Sequence, residues 1–253
     1  MTPSAVASPP APTSVAEVIA RMEAILHPLA GTDGVACFTR LYLDVTEGVQ
    51  AQLGALTFAD PPFIADLDVR FANLYFDAVD DAAKPGGAVP RAWVPLFEAR
   101  GRRGVAPLQF AIAGMNAHIN RDLPLAVVAS CRHAGVAPEE GSPQHADYLL
   151  INRLLATVEA RIKEQYLSGW LHRLDRAVHR VHRLDDIVAM WNVDRARDAA
   201  WTNAEALWRL RDDPELTSRY VATLDRSVGL AGRALLTPAD TWVGRLGRFL
   251  HLG

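Results

Sequence analysis

Between Gly114 and Pro124 the chain sets Asn116, His118, Asn120, Arg121 and Asp122 into a segment whose other residues are mostly apolar. An imidazole and a carboxylate four residues apart are the residue types of acid–base chemistry. The carboxylate can fix the ring's tautomer and orientation while the other ring nitrogen moves a proton, or the pair can share a metal ion. On a helix advancing about 100° per residue, His118 and Asp122 fall on one side, and Asn116 and Asn120 on nearly the opposite side. Phe110, Ile112, Met115, Ile119, Leu123, Leu125, Val127 and Val128 fill much of the remaining circumference, which predicts a buried central helix over 105–133. A polar group buried there without a partner costs on the order of 1–3 kcal/mol, so each must meet protein, water, metal or ligand.

Pro124 bears on the same segment. Its ring clashes with the carbonyl of Asn120 and removes the N–H that would have bonded it, which predicts a kink near Asn120 and a freed carbonyl. A second reading starts a new helix at Leu123-Pro124, with Asp122 as its cap accepting the Leu125 N–H and His118 as a satisfied core histidine. The residues alone leave both open.

Asn73 and Asp77 repeat the four-residue spacing among the aromatics of Arg70 to Asp77. They are expected beside the central helix, positioning a substrate together with Asn116 and Asn120. Asp80-Asp81 is similar to the acidic clusters that hold magnesium-diphosphate, but the companion Asn, Ser and Glu motif is missing, and a solvated helix end accounts for the pair. His145, Asp147, Asn152 and Glu159 lie on the helix opened by Ser142-Pro143. Asp147 or Glu159 would complete a site with His118 and Asp122, although a carboxylate in a first helical turn is also favoured by the helix dipole. The metal-ligand candidates are therefore His118, Asp122, Asp77 and Asp147, for a divalent ion.

Other chemistries lack their signatures. Paired Glu-x-x-His motifs, His-Glu-x-x-His, the Walker loop, the dinucleotide glycine fingerprint and Gly-x-Ser-x-Gly are all absent, and no flavin or PLP motif is visible. The net charge of -3 argues against a chain built to neutralise a phosphate backbone, so nucleic acid is not an expected partner. Cys37 and Cys131 are the two thiols, far apart and without metal spacing, which suits a reducing cytoplasm. No apolar run approaches the roughly 20 residues needed to cross a bilayer.

The elements that position these residues are marked by caps. Ser142-Pro143, Asp213-Pro214 and Thr237-Pro238 each place a capping oxygen before a proline, and Thr237 with Asp240 has the spacing of a capping box. Asn192 offers a further cap. Apolar periodicity between these marks predicts helices at 14–28, 34–54, 62–83, 90–100, 105–133, 143–185, 193–212, 214–232 and 238–250. No convincing strand set emerges, and the connecting breaks are short. The expected fold is all-α, an irregular multi-helix bundle around the buried central helix, forming a single domain over 15–253 after a disordered Pro/Ala/Ser tail at 1–14.

Two further helical faces invite partners. His172, Arg176, His179 and Arg183 form a basic ladder suited to a phosphate or an acidic surface, balanced in part by Asp175, Asp185 and Asp186. The amphipathic stretch from Trp242 to His251 suits either a docked terminal helix or peripheral contact with a membrane. Trp201 and Trp208, seven residues apart, read as core.

The strings from Phe71 to Asp77, Leu108 to Pro124 and Ala196 to Trp201 together resemble an all-helical bacterial family of unknown function common in high-GC actinobacteria. The resemblance spans roughly residues 32 to 210 and implies a shared helical segmentation; it brings no activity and no catalytic residues. From the residues themselves, the expectation is an enzyme acting on a small, partly apolar metabolite by hydrolysis or isomerisation. His118 is the acid/base group and Asp122 its orienting or metal-binding carboxylate. The competing expectation is a non-catalytic ligand-binding or interaction domain whose polar residues bridge helices.

Overall fold

Caps written into the sequence start most of the helices. In the computed structural model, which describes residues 9–53, 58–152, 155 and 192–238, α1 spans Val15–Leu26 and begins at Ser14, whose hydroxyl accepts the Glu17 N–H. The second helix, α2, covers Gly34–Leu53, and α3 covers Pro61–Ala83. Asp60 accepts the Phe63 N–H and precedes two prolines, the arrangement in which a missing proline N–H costs nothing. The short α4, Val94–Ala99, follows a turn at 91–93.

Helix α5 runs over Pro107–Ala117, passes into a π turn at His118–Asp122, and continues as α6 over Leu123–Ala134. A π turn stands where the sequence places a kink. The Leu123 N–H reaches back five residues to the His118 carbonyl, so the chain widens by one residue where Pro124 cannot donate. α6 ends at Gly135, whose φ of 70° gives the left-handed conformation that closes helices.

A further helix, α7, occupies 143–152, with Ser142 accepting the His145 N–H. Helix α8 covers Val193–Arg209, capped by Asn192 through the Arg195 N–H. Helix α9 covers Pro214–Leu235, capped by Asp213 through the N–H groups of Glu215 and Leu216. The chain is all-α, and among the described residues there is no strand. The basic ladder at 172–183, Glu159, and the terminal stretch from 239 onward lie outside the described residues.

Among the described residues, packing forms a small apolar cluster at Leu41 and Ala111 and two large ones. One joins residues of α1 to α5 with Val228 and Leu236, centred on Phe38, Tyr75, Trp93 and Leu96. The other joins the first half of α3 to α6, α7 and α8 through Phe63, Leu123, Val127, Tyr148 and Trp201. Phe71 and Met115 pack against both clusters. The π turn sits at this junction.

Gly114 sets how closely α5 approaches α2. A Cβ at that position would lie 2.3 Å from Cγ of Phe38, far inside van der Waals contact, so only a hydrogen fits. Ahead of α1, Pro12 is tied down: its carbonyl accepts the Asn73 amide at 2.9 Å. Among the described residues, no helix is long and apolar enough to cross a membrane.

Candidate functional site

Asp122 is fully buried and its two carboxylate oxygens serve three donors. Oδ2 accepts the Trp93 indole N–H at 2.9 Å and stands 3.1 Å from Nδ1 of His118; Oδ1 accepts from Arg121 Nη1 at 2.7 Å. The cap reading is thereby displaced: Asp122 has helical backbone angles and its side chain makes no capping bond. Arg121 in turn lies 3.7 Å from Asp225, which accepts the backbone N–H groups of Arg91 and Ala92 at the turn before α4. One carboxylate therefore joins the π turn to the Trp93 segment, and its arginine extends the link to α9.

The imidazole of His118 is 3 % exposed and enclosed by aromatic rings. It lies flat on Phe71, with ring centroids 3.5 Å apart and planes 6° apart, and meets Tyr42 at 4.5 Å. Phe38, Tyr75 and Trp93 complete the surround. Burial lowers the His118 pKa below 6.5, and the Asp122 carboxylate opposes this only in part. Burial thereby favours the neutral ring. With its proton on Nδ1, donated to Asp122, the lone pair resides on Nε2, and Nε2 is buried without a hydrogen-bond partner.

Three more buried polar atoms around Tyr42 share that condition. The Tyr42 hydroxyl, Thr46 Oγ1 and Asp68 Oδ2 make no hydrogen bond of normal geometry, although Thr46 stands beside the phenol. Tyr42 and Thr46 are one turn apart on α2. Asp68 shares a face of α3 with Phe71, Ala72 and Tyr75, at the helical spacing of three, four and seven residues. Burial pushes the Asp68 carboxyl up to about 7. Burial first, and then the charges of Asp68 and Asp122, hold the Tyr42 phenol well above its usual range.

The other candidates go elsewhere. Asn116 donates to the Val228 carbonyl of α9 at 3.0 Å, and Asn120 donates to Asn116 at 3.2 Å. Asn116 bridges to α9 and Asn120 supports it from the same helical segment, on the side away from His118 that the helical spacing implies. Asn73 and Asp77 occupy the face of α3 opposite Asp68, where they line a cavity of about 250 Å³ with Pro9, Pro12, Arg21 and Asp80. Among the described residues neither hydrogen-bonds to the His118/Asp122 pair, although the Asp122 charge is among those that raise the Asp77 carboxyl. Asp77 is exposed, and its carboxyl is raised by burial of its oxygens and by Asp81 and Asp80. Arg21 pairs with Asp80 at 2.5 Å and Lys84 with Asp81 at 3.2 Å.

Asp147 is taken up by backbone, accepting the N–H groups of Ala59 at 2.9 Å and Asp60 at 2.7 Å. That fixes the start of α3, about eleven residues and roughly 16 Å of helical rise from Phe71. Among the described residues, no three of His, Cys, Asp and Glu converge in a group able to hold a metal. The four metal candidates, His118, Asp122, Asp77 and Asp147, therefore do not assemble into one site.

Sequence reasoning missed Tyr42, Thr46, Asp68 and Trp93. Asp68 carried a signal, a carboxylate in register with the apolar face of α3. Trp93 carried none, because its bond to Asp122 crosses 29 residues of chain. Neither the curated proteins nor the solved structures offer a match to this chain. The model of one family covers residues 15–238, and the chain belongs to it: the family of unknown function DUF5995.

Proposed function

We propose that this chain is an acid–base enzyme acting on a small, partly apolar metabolite, with His118 Nε2 as the base and Asp122 as the carboxylate that orients it. The observation that carries the reading is the buried, unpartnered Nε2 of a histidine whose other nitrogen is held by a carboxylate. Leaving such an acceptor empty costs on the order of 1–3 kcal/mol, and a reacting proton would satisfy it. Lowering of the imidazole pKa keeps the base free near neutral pH. Asp122 already serves Trp93, His118 and Arg121, which favours an orienting role over metal ligation. Proton abstraction beside a carbonyl, as in an isomerisation, or activation of water for hydrolysis both suit this pair.

A second reading, a non-catalytic binding or interaction domain, draws on the bonds from Asn116 to Val228 and from Arg121 toward Asp225, which give the polar residues a helix-bridging task. Turnover separates the two. Exchange of α-protons of small ketones in D2O, followed by NMR, and hydrolysis of p-nitrophenyl acetate and butyrate are measured for wild type and His118→Gln. The enzyme reading expects a loss of about 100-fold or more with an unchanged circular dichroism spectrum. Equal rates in the two folded proteins overturn it.

A further inference from the structure

Tyr42 stands at the centre of four buried polar atoms that make no hydrogen bond of normal geometry, two of which, its own hydroxyl and Thr46 Oγ1, lie against each other. Its own hydroxyl is one, Thr46 Oγ1 beside it is the second, Asp68 Oδ2 is the third and His118 Nε2, on the ring 4.5 Å away, is the fourth. Tyr42 is 5 % exposed, Thr46 0 % and His118 3 %, while Asp68 is half-buried with its Oδ2 covered. Buried polar groups are nearly always paired, and isolated exceptions mark a water, an ion or a working site. Of the eight such atoms among the described residues, these four gather at one side chain: Thr46 and Asp68 both act on the Tyr42 phenol, and the His118 ring lies 4.5 Å from the Tyr42 ring.

We infer that these four atoms form one receiving site for a small, uncharged, largely apolar molecule bearing a hydroxyl or carbonyl oxygen, with Asp68 and Tyr42 as its hydrogen-bond donors. The inference rests on the acid–base reading for the role of His118, but assigns new residues and a ligand class. The surround dictates that class. Phe38, Phe71, Tyr75 and Trp93 offer apolar walls. The Asp122 carboxylate acting on the Tyr42 hydroxyl disfavours an anion, and Asp68, raised by burial to about 7, is available as a neutral donor. A single oxygen is enough to meet Tyr42 and Asp68 while an adjacent C–H or O–H faces the lone pair of His118.

The probe is 4-fluorophenol, which has an apolar ring, one hydroxyl and a ¹⁹F signal. Saturable perturbation of that signal by the full chain is expected, weakened tenfold or more in Asp68→Leu and in Tyr42→Phe, and retained within about threefold in Asp68→Asn, whose amide still donates. Asp68→Leu removes a buried carboxyl and is expected to fold; circular dichroism verifies each variant. No binding by wild type overturns the site, as does equal binding by wild type, Asp68→Leu and Tyr42→Phe, which denotes an adventitious additive only. If binding depends on Asp68 and Tyr42 while His118→Gln leaves turnover unchanged, the site stands and the catalytic reading falls. If turnover depends on His118 while binding ignores Asp68 and Tyr42, the outcome is reversed.

Discussion

Oδ2 of Asp122 accepts the Trp93 indole N–H at 2.9 Å while standing 3.1 Å from Nδ1 of His118. One oxygen thereby fixes both the tautomer of the histidine and the seat of the turn before α4. Removing the whole carboxylate leaves the buried Trp93 and His118 donors, and the part-buried Arg121 guanidinium, without that acceptor. Asp122→Ala is expected to cost roughly 3–5 kcal/mol of unfolding free energy, read by urea denaturation. A loss below 1 kcal/mol would show that the network carries no structural load.

The His118 pKa is lowered from 6.5 by burial, so the unfolded chain takes up this proton more readily than the folded one. Its contribution to stability is fully present above pH 6.5 and declines as pH falls through 6.5 toward the folded value. Compared with His118→Gln, wild type should lose stability on acidification in that window. ¹⁵N NMR of the labelled ring should show a neutral imidazole protonated on Nδ1 at pH 7; a charged ring would contradict this.

Asp68 acts with the opposite sign. Burial raises its carboxyl from 3.8 to about 7, so the folded chain holds this proton more tightly. The favourable contribution is complete below pH 3.8 and is lost as pH rises through about 7. Asp68→Asn should therefore gain stability relative to wild type between pH 4 and 8, by roughly 1–3 kcal/mol at the upper end. Parallel stability curves for the two proteins would refute it.

At Gly114 the contact with Phe38 admits no methyl group. Gly114→Ala adds helix propensity but drives Cβ into the ring, and overpacking of this kind costs roughly 1–3 kcal/mol. A drop in thermal midpoint is expected; a rise would mean that α2 and α5 separate freely.

Asp147 holds two backbone N–H groups at the start of α3, so its loss should act on stability alone. Asp147→Ala is expected to cost about 1–3 kcal/mol, with or without EDTA. Destabilisation of wild type by EDTA that Asp147→Ala abolishes would restore its place among metal ligands.

Much of the scaffold was legible locally. Ser142, Asn192 and Asp213 cap helices where their spacing to proline or to the apolar run indicated, because a cap needs only a side chain and backbone within a few residues. The division of the π-turn segment into a His118/Asp122 side and an Asn116/Asn120 side followed from helical periodicity and persists through the π turn. Pro124 foretold a disturbance, though not that one extra residue would be taken into a wider turn.

What neighbours each side needed the whole fold. Asn73 and Asp77 had the right spacing and aromatic company, yet they face the Pro12 segment, while Asp68 lies on the face of α3 that carries Phe71 and Tyr75. A helix's own sequence specifies which residues share a face; which neighbour that face meets depends on how several helices bury their apolar stripes together. The sequence by itself determined the all-α class, the caps, and that His118 and Asp122 share one side of their helix while Asn116 and Asn120 share the other. Only tertiary structure decided that Asp122 bonds the His118 ring instead of capping a helix, and that Trp93 occupies Asp122, Phe71 covers one face of His118 and Nε2 is left beside Tyr42, because the last three relations join segments distant in the chain.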